Sequence, residues 1–205
     1  YEIQFGDWSS DVCSSDLGSC LTISVGLRAP GVAELLLDLA EHLAEPLDDT
    51  RRYADPDLEP VRDPFLIGEA AITRLETALA PLRQLDGAGL RDWFAGYITR
   101  YRAAQTATPP KRRLDPAALA AMLAGGARLH RFPWTRCAYL KARNGALLYA
   151  AGQRYPCSTR FAKLVAAEPV LDAAVLGALA ERDAAVLLGL VNDGHLVVQR
   201  KRRRP

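Results

Sequence analysis

Histidine is the residue type in this chain that most directly suggests metal chemistry, and it occurs at His42, His130 and His195. A non-haem iron site needs two histidines and one carboxylate on one face of the metal, with positions left open for oxygen and a co-substrate. In sequence this arrangement takes the form His-x-Asp/Glu with a distant second histidine. The residues two positions after the three histidines are alanine, phenylalanine and valine. We therefore predict no metal ligand and no catalytic residue in this chain.

The cysteines and serines show no arrangement typical of nucleophilic catalysis. Cys13, Cys20, Cys137 and Cys157 form no Cys-x-x-Cys pair, and the chain has no Gly-x-Ser-x-Gly elbow, P-loop or Gly-x-Gly-x-x-Gly turn. Unpaired cysteines without a secretory leader indicate a reduced, cytoplasmic setting. We expect Cys137 and Cys157 to be small buried hydrophobic residues.

Charge is concentrated at the end of the chain. The formal net charge is +2, and removing the five cations of residues 200–204 leaves −3 for residues 1–199. A near-neutral body does not indicate a dedicated nucleic-acid surface. The basic tail of residues 200–205 could contact RNA phosphates or could be a disordered, solubilising end. No run approaches 18 consecutive apolar residues, so we expect no membrane span.

Residues 1–17 (YEIQFGDWSSDVCSSDL) repeat Ser-Ser-Asp and lack apolar periodicity. The run DVCSSDL is similar to the translation of a sequencing-library adaptor, and the alternative is a disordered polar leader. We exclude this segment from the fold. If it is an artefact, the natural protein continues upstream and this chain begins within a domain.

The first half of the remaining chain predicts one strand and three helices. Residues 21–28 (LTISVGLR) are short and β-branched, which is typical of a strand. Pro30 then opens a helix with leucines at helical spacing, and two further apolar stripes follow, at Ile72–Leu82 and at Leu90–Tyr101. We predict a three-helix bundle over residues 31–108. Its Trp- and Tyr-rich stripe forms either the core or a subunit interface.

The second half predicts a separate α+β unit over residues 114–199. Residues 105–114 form a Pro-rich linker, and Asp115 and Pro116 begin a helix. Strands are expected at 127–132, 137–142 and 146–151, with a hairpin at Arg143-Asn144-Gly145. Helices at 159–167 and 171–192 and a last strand at 195–199 complete a compact unit of winged-helix type.

Several motifs in a fixed order resemble the bacterial ribosomal oxygenases, which are JmjC (cupin) enzymes. The run Ile23–Pro30 (ISVGLRAP) resembles a late barrel strand of that family, and Tyr53–Asp57 (YADPD) resembles its Tyr-x-Asp-Pro-Asp segment. Trp93–Ile98 (WFAGYI) and Leu190–Gly194 (LVNDG) resemble two later motifs. The resemblance covers residues 18–199, and the ordered set is more specific than any single motif.

This resemblance implies an Fe(II)- and 2-oxoglutarate-dependent oxygenase that hydroxylates an arginine of a large-subunit ribosomal protein. It implies that residues 18–30 are the last strand of a truncated JmjC barrel, followed by a helical dimerisation domain and a winged-helix domain. The family's iron ligands have no counterpart here, so the chain is expected to bind neither iron nor 2-oxoglutarate. Ser24 matches a serine near the 2-oxoglutarate carboxylate, although Ile23 replaces the usual tyrosine beside it. A strand serine bonded within the sheet is the alternative.

Two functions remain open from the sequence. The first is the C-terminal part of such an oxygenase, which supplies homodimerisation and domain support. The second is a winged-helix nucleic-acid-binding protein with a basic tail. The helix near residues 182–192 distinguishes them, because its run Ala184–Leu190 is apolar and lacks the Arg, Lys, Asn and Gln side chains that read base edges. We therefore predict no specific DNA binding.

Overall fold

The computed structural model describes residues 29–48, 50, 52–53, 63, 65–101, 103 and 105–199. Helices form the first half of this part of the chain: α1 (Val32–Ala44), α2 (Glu69–Ala78), α3 (Ala80–Gln84) and α4 (Gly87–Arg100). The predicted strand at residues 21–28, the leader and the basic tail lie outside the described residues. None of the helices described is long and apolar enough to cross a membrane.

The second half mixes short strands and helices, which confirms the predicted α+β class. In chain order these elements are α5 (Pro116–Ala124), β1 (Arg128–Arg131), β2 (Cys137–Ala142), β3 (Gly145–Ala150), β4 (Gln153–Cys157), α6 (Thr159–Ala167), β5 (Val170–Leu171), α7 (Ala173–Leu176), α8 (Glu181–Asn192) and β6 (Leu196–Gln199).

Two small antiparallel sheets organise this half. One has the order β5-β1-β6, and the register places Leu129 opposite both Leu171 and Val198. The other has the order β2-β3-β4, with Leu148 opposite Tyr139 and Tyr155. Because side chains alternate along a strand, β3 presents two different faces to its surroundings.

The main core lies between the sheets and α5, α6 and α8. On β3, the fully buried Ala146, Leu148 and Ala150 belong to it, together with Phe161 of α6 and Leu190 of α8. The opposite face of β3 carries Tyr149, which is also buried and bonds to α4. In the first half, the buried residues among those described all lie on α4: Trp93, Ala95, Tyr97 and Thr99.

The predicted three-helix bundle is not confirmed by the described residues. Helix α1 contacts α4, and α4 contacts β2 and β3 as well, so contacts cross the boundary predicted near residues 108–114. Helix α2 buries no residue. It ends at Ala78, with Leu79 as the C-cap, because Pro81 in the second position of α3 has no N–H with which to continue the helix.

The predicted single helix at residues 171–192 is wrong. Leu171 is in β5 and pairs with Leu129, after which Asp172 caps α7 by accepting hydrogen bonds from Ala174 and Val175. Gly177 ends α7 with a φ of 58°, a conformation that favours glycine. Apolar composition alone could not distinguish a short strand and two helices from one helix.

Strand β4 was not predicted, because its sequence QRYPC carries few strand signals and includes Pro156. Proline is tolerated at a sheet edge, and β4 is an edge strand. Its hairpin with β3 turns at Ala151-Gly152, both with positive φ (48° and 90°). The predicted β2–β3 hairpin is confirmed, and the register pairs Ala142 with Gly145 across the turn.

The predicted linker is docked on the domain that follows it. The Asn192 side chain accepts a hydrogen bond from Leu114 N at 2.8 Å and donates one to Leu114 O at 3.0 Å. A Cβ on Gly194, where φ is 83°, would lie 2.3 Å from Thr108 O. These two contacts give a physical reason for Asn and Gly in the Leu-Val-Asn-x-Gly run, since both positions bind the linker backbone.

Candidate interaction surface

Most residues for which the sequence suggested a ligand role are not brought together. Ser24 and residues 200–204 lie outside the described residues, so their predicted roles stay predictions. His42 is exposed on α1 and lines a cavity of about 240 Å³ with Asp38, Glu41, Glu45 and Arg100. His130 is in β1, which follows the predicted linker in sequence, whereas His42 precedes that linker.

His195 is buried and occupies a structural position. Its Nδ1 lies 3.2 Å from Thr135 Oγ1, and its ring meets the edge of the Tyr155 ring at a centroid distance of 6.2 Å. Burial lowers the pKa of His195, and the nearby Asp193 opposes this shift without cancelling it. The imidazole is therefore neutral in the folded protein near neutral pH.

The described residues do not fit an iron site. Across the part of the chain that the structure describes, no group of three or more His, Cys, Asp or Glu side chains could hold a metal ion. Cys157 is fully buried and Cys137 partly buried, and burial raises the pKa of both thiols. Neither cysteine is therefore a ready nucleophile or metal ligand at neutral pH.

Helix α4 carries two polar stripes that the sequence did not reveal, and the first of them binds α1. Asp38 accepts hydrogen bonds from Trp93 Nε1 at 2.9 Å and from Arg100 Nη2 at 2.6 Å. Tyr101 OH donates to Glu34 Oε2 at 2.9 Å. The rings of Trp93, Tyr97 and Tyr101 stack in sequence along this side, with centroids 5.7 and 5.3 Å apart.

The second stripe binds the β3–β4 hairpin. Asp92 accepts a short hydrogen bond from Tyr149 OH and a second from Arg154 Nη1 at 3.1 Å. Thr99 Oγ1 accepts from Gly152 N at 3.0 Å. Burial would raise the pKa of Asp92, but the bonds from Tyr149 and Arg154 outweigh it and lower the pKa. Burial and the carboxylate raise the pKa of Tyr149.

Exposed large apolar side chains are concentrated in the first half of the described chain. Of the 17 exposed large hydrophobic residues among those described, 14 lie between residues 32 and 94. Val32, Leu36 and Leu37 of α1 are 63–74% exposed, and Phe65 and Ile67 are 91% and 77% exposed. On α4, the outward-facing Leu90 and Phe94 add to them. We call this set, from Val32 to Phe94, the apolar helical surface; patches of this kind mark sites of association.

The helix that would read DNA in a winged helix is covered. Helix α8 contacts α5, β4 and β6, and its Gly189 lies against the Tyr155 ring. Its exposed positions are Glu181, Arg182 and two alanines. Arg182 donates to Pro156 O at 3.1 Å and to Asn144 O at 3.2 Å, so its guanidinium is already bound.

Comparisons with known proteins agree with the fold. A family described as ROXA-like winged helix matches residues 82–197, more than half of the chain. The match includes α4, which the structure joins to the hairpin. No curated protein matches the sequence.

Solved structures of YcfD, a ribosomal oxygenase from Escherichia coli, are similar as well. One has a TM-score of 0.59 and 24% sequence identity, over 84% of this chain and 47% of YcfD. YcfD in complex with cobalt and 2-oxoglutarate gives a TM-score of 0.60, with the same identity and coverage. This likeness shows the fold alone, and the chain spans about half the length of YcfD.

Proposed function

Because this chain belongs to the ROXA-like winged-helix family, we propose that it is the C-terminal part of a ribosomal-protein hydroxylase. The whole enzyme would use Fe(II) and 2-oxoglutarate to hydroxylate an arginine of a large-subunit ribosomal protein in the cytoplasm. The family match over residues 82–197 carries the proposal. The fold shared with YcfD over 84% of the chain supports it.

The part described here would supply association and support rather than chemistry. The described residues offer no donor set for iron, so we derive no catalytic step from them. What they offer instead is the apolar helical surface, which in an obligate oligomer is covered by a second subunit. We propose that this surface forms a homodimer interface and that Ser24 contributes to the 2-oxoglutarate pocket of the whole enzyme.

Sequence-specific DNA recognition is not part of the proposal. A winged helix by itself does not establish DNA binding, because one fold hosts many functions. Helix α8 is packed on the β2-β3-β4 sheet and exposes no unbound Arg, Lys, Asn or Gln. A base-reading role would require α8 to leave β4.

The activity is tested with the gene product extended upstream of residue 18 in its source genome. We expect that product to release succinate from 2-oxoglutarate with Fe(II) and to add one oxygen to an arginine of a large-subunit ribosomal protein, measured by mass spectrometry. The 205-residue chain, assayed in parallel, should release no succinate. An extended product that leaves every ribosomal protein unmodified, or turnover by the short chain, would contradict the proposal.

A further inference from the structure

The charges of this chain are separated between its two halves. Residues 1–104 hold 9 Lys and Arg against 18 Asp and Glu, a net charge of −9, whereas residues 105–199 hold 12 against 6, a net charge of +6. The tail adds five cations. The overall value of +2 therefore hides an acidic helical half and a basic winged-helix half.

Within the basic half, the cations concentrate between β1 and β5. Residues 127–171 contain eight Lys and Arg and a single acidic residue, Glu168. Some of these cations are used inside the fold: Arg154 pairs with Asp92, and Arg131 donates to two carbonyls of α6. Among the described residues, four others are exposed and make no hydrogen bond or ion pair: Arg136, Lys141, Arg143 and Lys163.

These four cations lie on, or next to, two neighbouring elements, α6 and β2. Helix α6 packs beside β2, which is the edge strand of its sheet. Thr159 Oγ1 donates to Gly145 O, which fixes the start of α6 at the β2–β3 turn. Arg131 binds Val165 O and Ala166 O, which fixes the end of α6 near the start of β2. Helix and strand thus run in opposite directions next to each other over about 13.5 Å, the length of the nine-residue helix α6.

Of these cations, Lys141 and Arg143 lie at the β2–β3 turn, Lys163 lies on α6, and Arg136 directly precedes β2. Trp134, 44% exposed, is two residues before Arg136. We call these five residues the basic stripe. Unpaired cations in a row, next to an exposed aromatic ring, match the features with which proteins hold single-stranded nucleic acids.

We propose that the basic stripe binds the phosphate backbone of single-stranded RNA without reading its sequence. Several unpaired cations on two neighbouring elements match the regularly repeated charges of a polynucleotide better than the described carboxylates in the first half of a second copy, which belong to α1, α2, α4 and the segments between them. The stripe is separate from the covered helix α8 and from the tail. The inference goes beyond the proposed hydroxylase function and does not depend on it.

The test uses the full chain and a short, fluorescently labelled oligouridine, with binding followed by anisotropy over a range of salt concentrations. The stripe variant combines Lys141→Gln, Arg143→Gln and Lys163→Gln. The control variant combines Arg83→Gln, Arg91→Gln and Lys111→Gln, which removes the same charge outside the stripe. A third variant replaces the five tail cations with Gln. Each protein is checked for an unchanged circular dichroism spectrum and melting temperature.

We expect wild-type binding with a Kd of roughly 10⁻⁶–10⁻⁴ M at physiological salt, typical of non-specific binding. The stripe variant should reduce the slope of log K against log salt by about 2, since each lost phosphate contact on a single strand contributes about 0.7. The control variant should keep the wild-type slope. RNA should quench the fluorescence of Trp134, and Trp134→Leu should weaken binding about tenfold.

Four results would overturn the proposal. Equal slopes for the stripe and control variants would show that only overall charge matters. Loss of binding confined to the tail variant would assign the RNA affinity to residues 200–204. If the stripe variant aggregates but binds RNA with the same affinity as the wild type, the cations serve only to prevent the edge strand β2 from pairing with a strand of another molecule. If the wild type binds no RNA but self-associates in a salt-sensitive manner, and the stripe variant does not self-associate, the basic stripe binds a second copy of the chain.

Discussion

At the residue scale, the polar side chains that matter most here act across long separations in sequence. Asp38 with Arg100, Asp92 with Tyr149 and Asn192 with Leu114 are 55 or more residues apart. Each residue alone is ordinary in its local sequence, so composition and periodicity could not predict these pairs. The prediction that no histidine is a metal ligand rested only on the residue two positions after each histidine. That spacing does not show that His195 is buried beside Tyr155 and Thr135, which depends on the tertiary structure.

The neutral, buried His195 makes stability depend on pH. Its folded pKa lies below the ordinary value of 6.5, so the unfolded chain binds a proton more readily than the folded chain does. Its contribution to stability is therefore present above pH 6.5 and is lost as the pH falls through the folded pKa.

We expect urea denaturation of the wild type to show a falling free energy of unfolding between about pH 7 and pH 5. His195→Gln should flatten this slope, because it removes the titrating group. A slope that His195→Gln does not change would assign the pH dependence to other groups.

At the element scale, helix positions were predicted best where a cap and an apolar period coincide. Asp115 caps α5 as expected, by accepting a bond from a backbone N–H, and Asp86, which was not predicted as a cap, does the same for α4. The prediction for α4 was still incomplete. Its apolar stripe divides into Trp93 and Tyr97, which face α1, and Leu90 and Phe94, which face solvent. An apolar period indicates a single buried face of a helix, whereas α4 contacts both α1 and the β3–β4 hairpin.

Helix α4 should therefore unfold together with the winged helix. Asp92→Ala leaves the hydroxyl of Tyr149, a buried residue, without its acceptor, and this should cost about 1–3 kcal/mol of unfolding free energy. In a Tyr149→Phe background the same change should cost less, since the hydroxyl is gone. Trp93 fluorescence and far-UV circular dichroism should report a single transition. If the costs of Asp92→Ala and Tyr149→Phe are additive, or if the Trp93 fluorescence changes at a lower denaturant concentration than the circular dichroism, a domain boundary lies after α4. The sequence predicted such a boundary near residues 108–114.

At the scale of the whole molecule, the sequence predicted the α+β class and the winged helix, whereas averaging the charge concealed its distribution. The value of −3 for residues 1–199 is the sum of −9 and +6 over two halves. The three-dimensional structure is also needed to tell which half exposes the apolar side chains that could form a subunit interface. Leucines that share a helical period in α1 and α2 read as core, yet Leu36 is 63% exposed and α2 buries no residue.

We propose that this chain supplies a subunit interface through the apolar helical surface. Sedimentation equilibrium of the full chain tests this interface most directly. The protein concentration is set to tens of micromolar, roughly the range in which weak interfaces dissociate. We compare the wild type with Leu36→Asp/Ile67→Asp, and with the control Val175→Asp/Val197→Asp, which places the same charges on exposed apolar residues of the second half. We expect twice the monomer mass for the wild type and the control, and the monomer mass for Leu36→Asp/Ile67→Asp. A monomeric wild type, or a dimer that survives Leu36→Asp/Ile67→Asp, would contradict it.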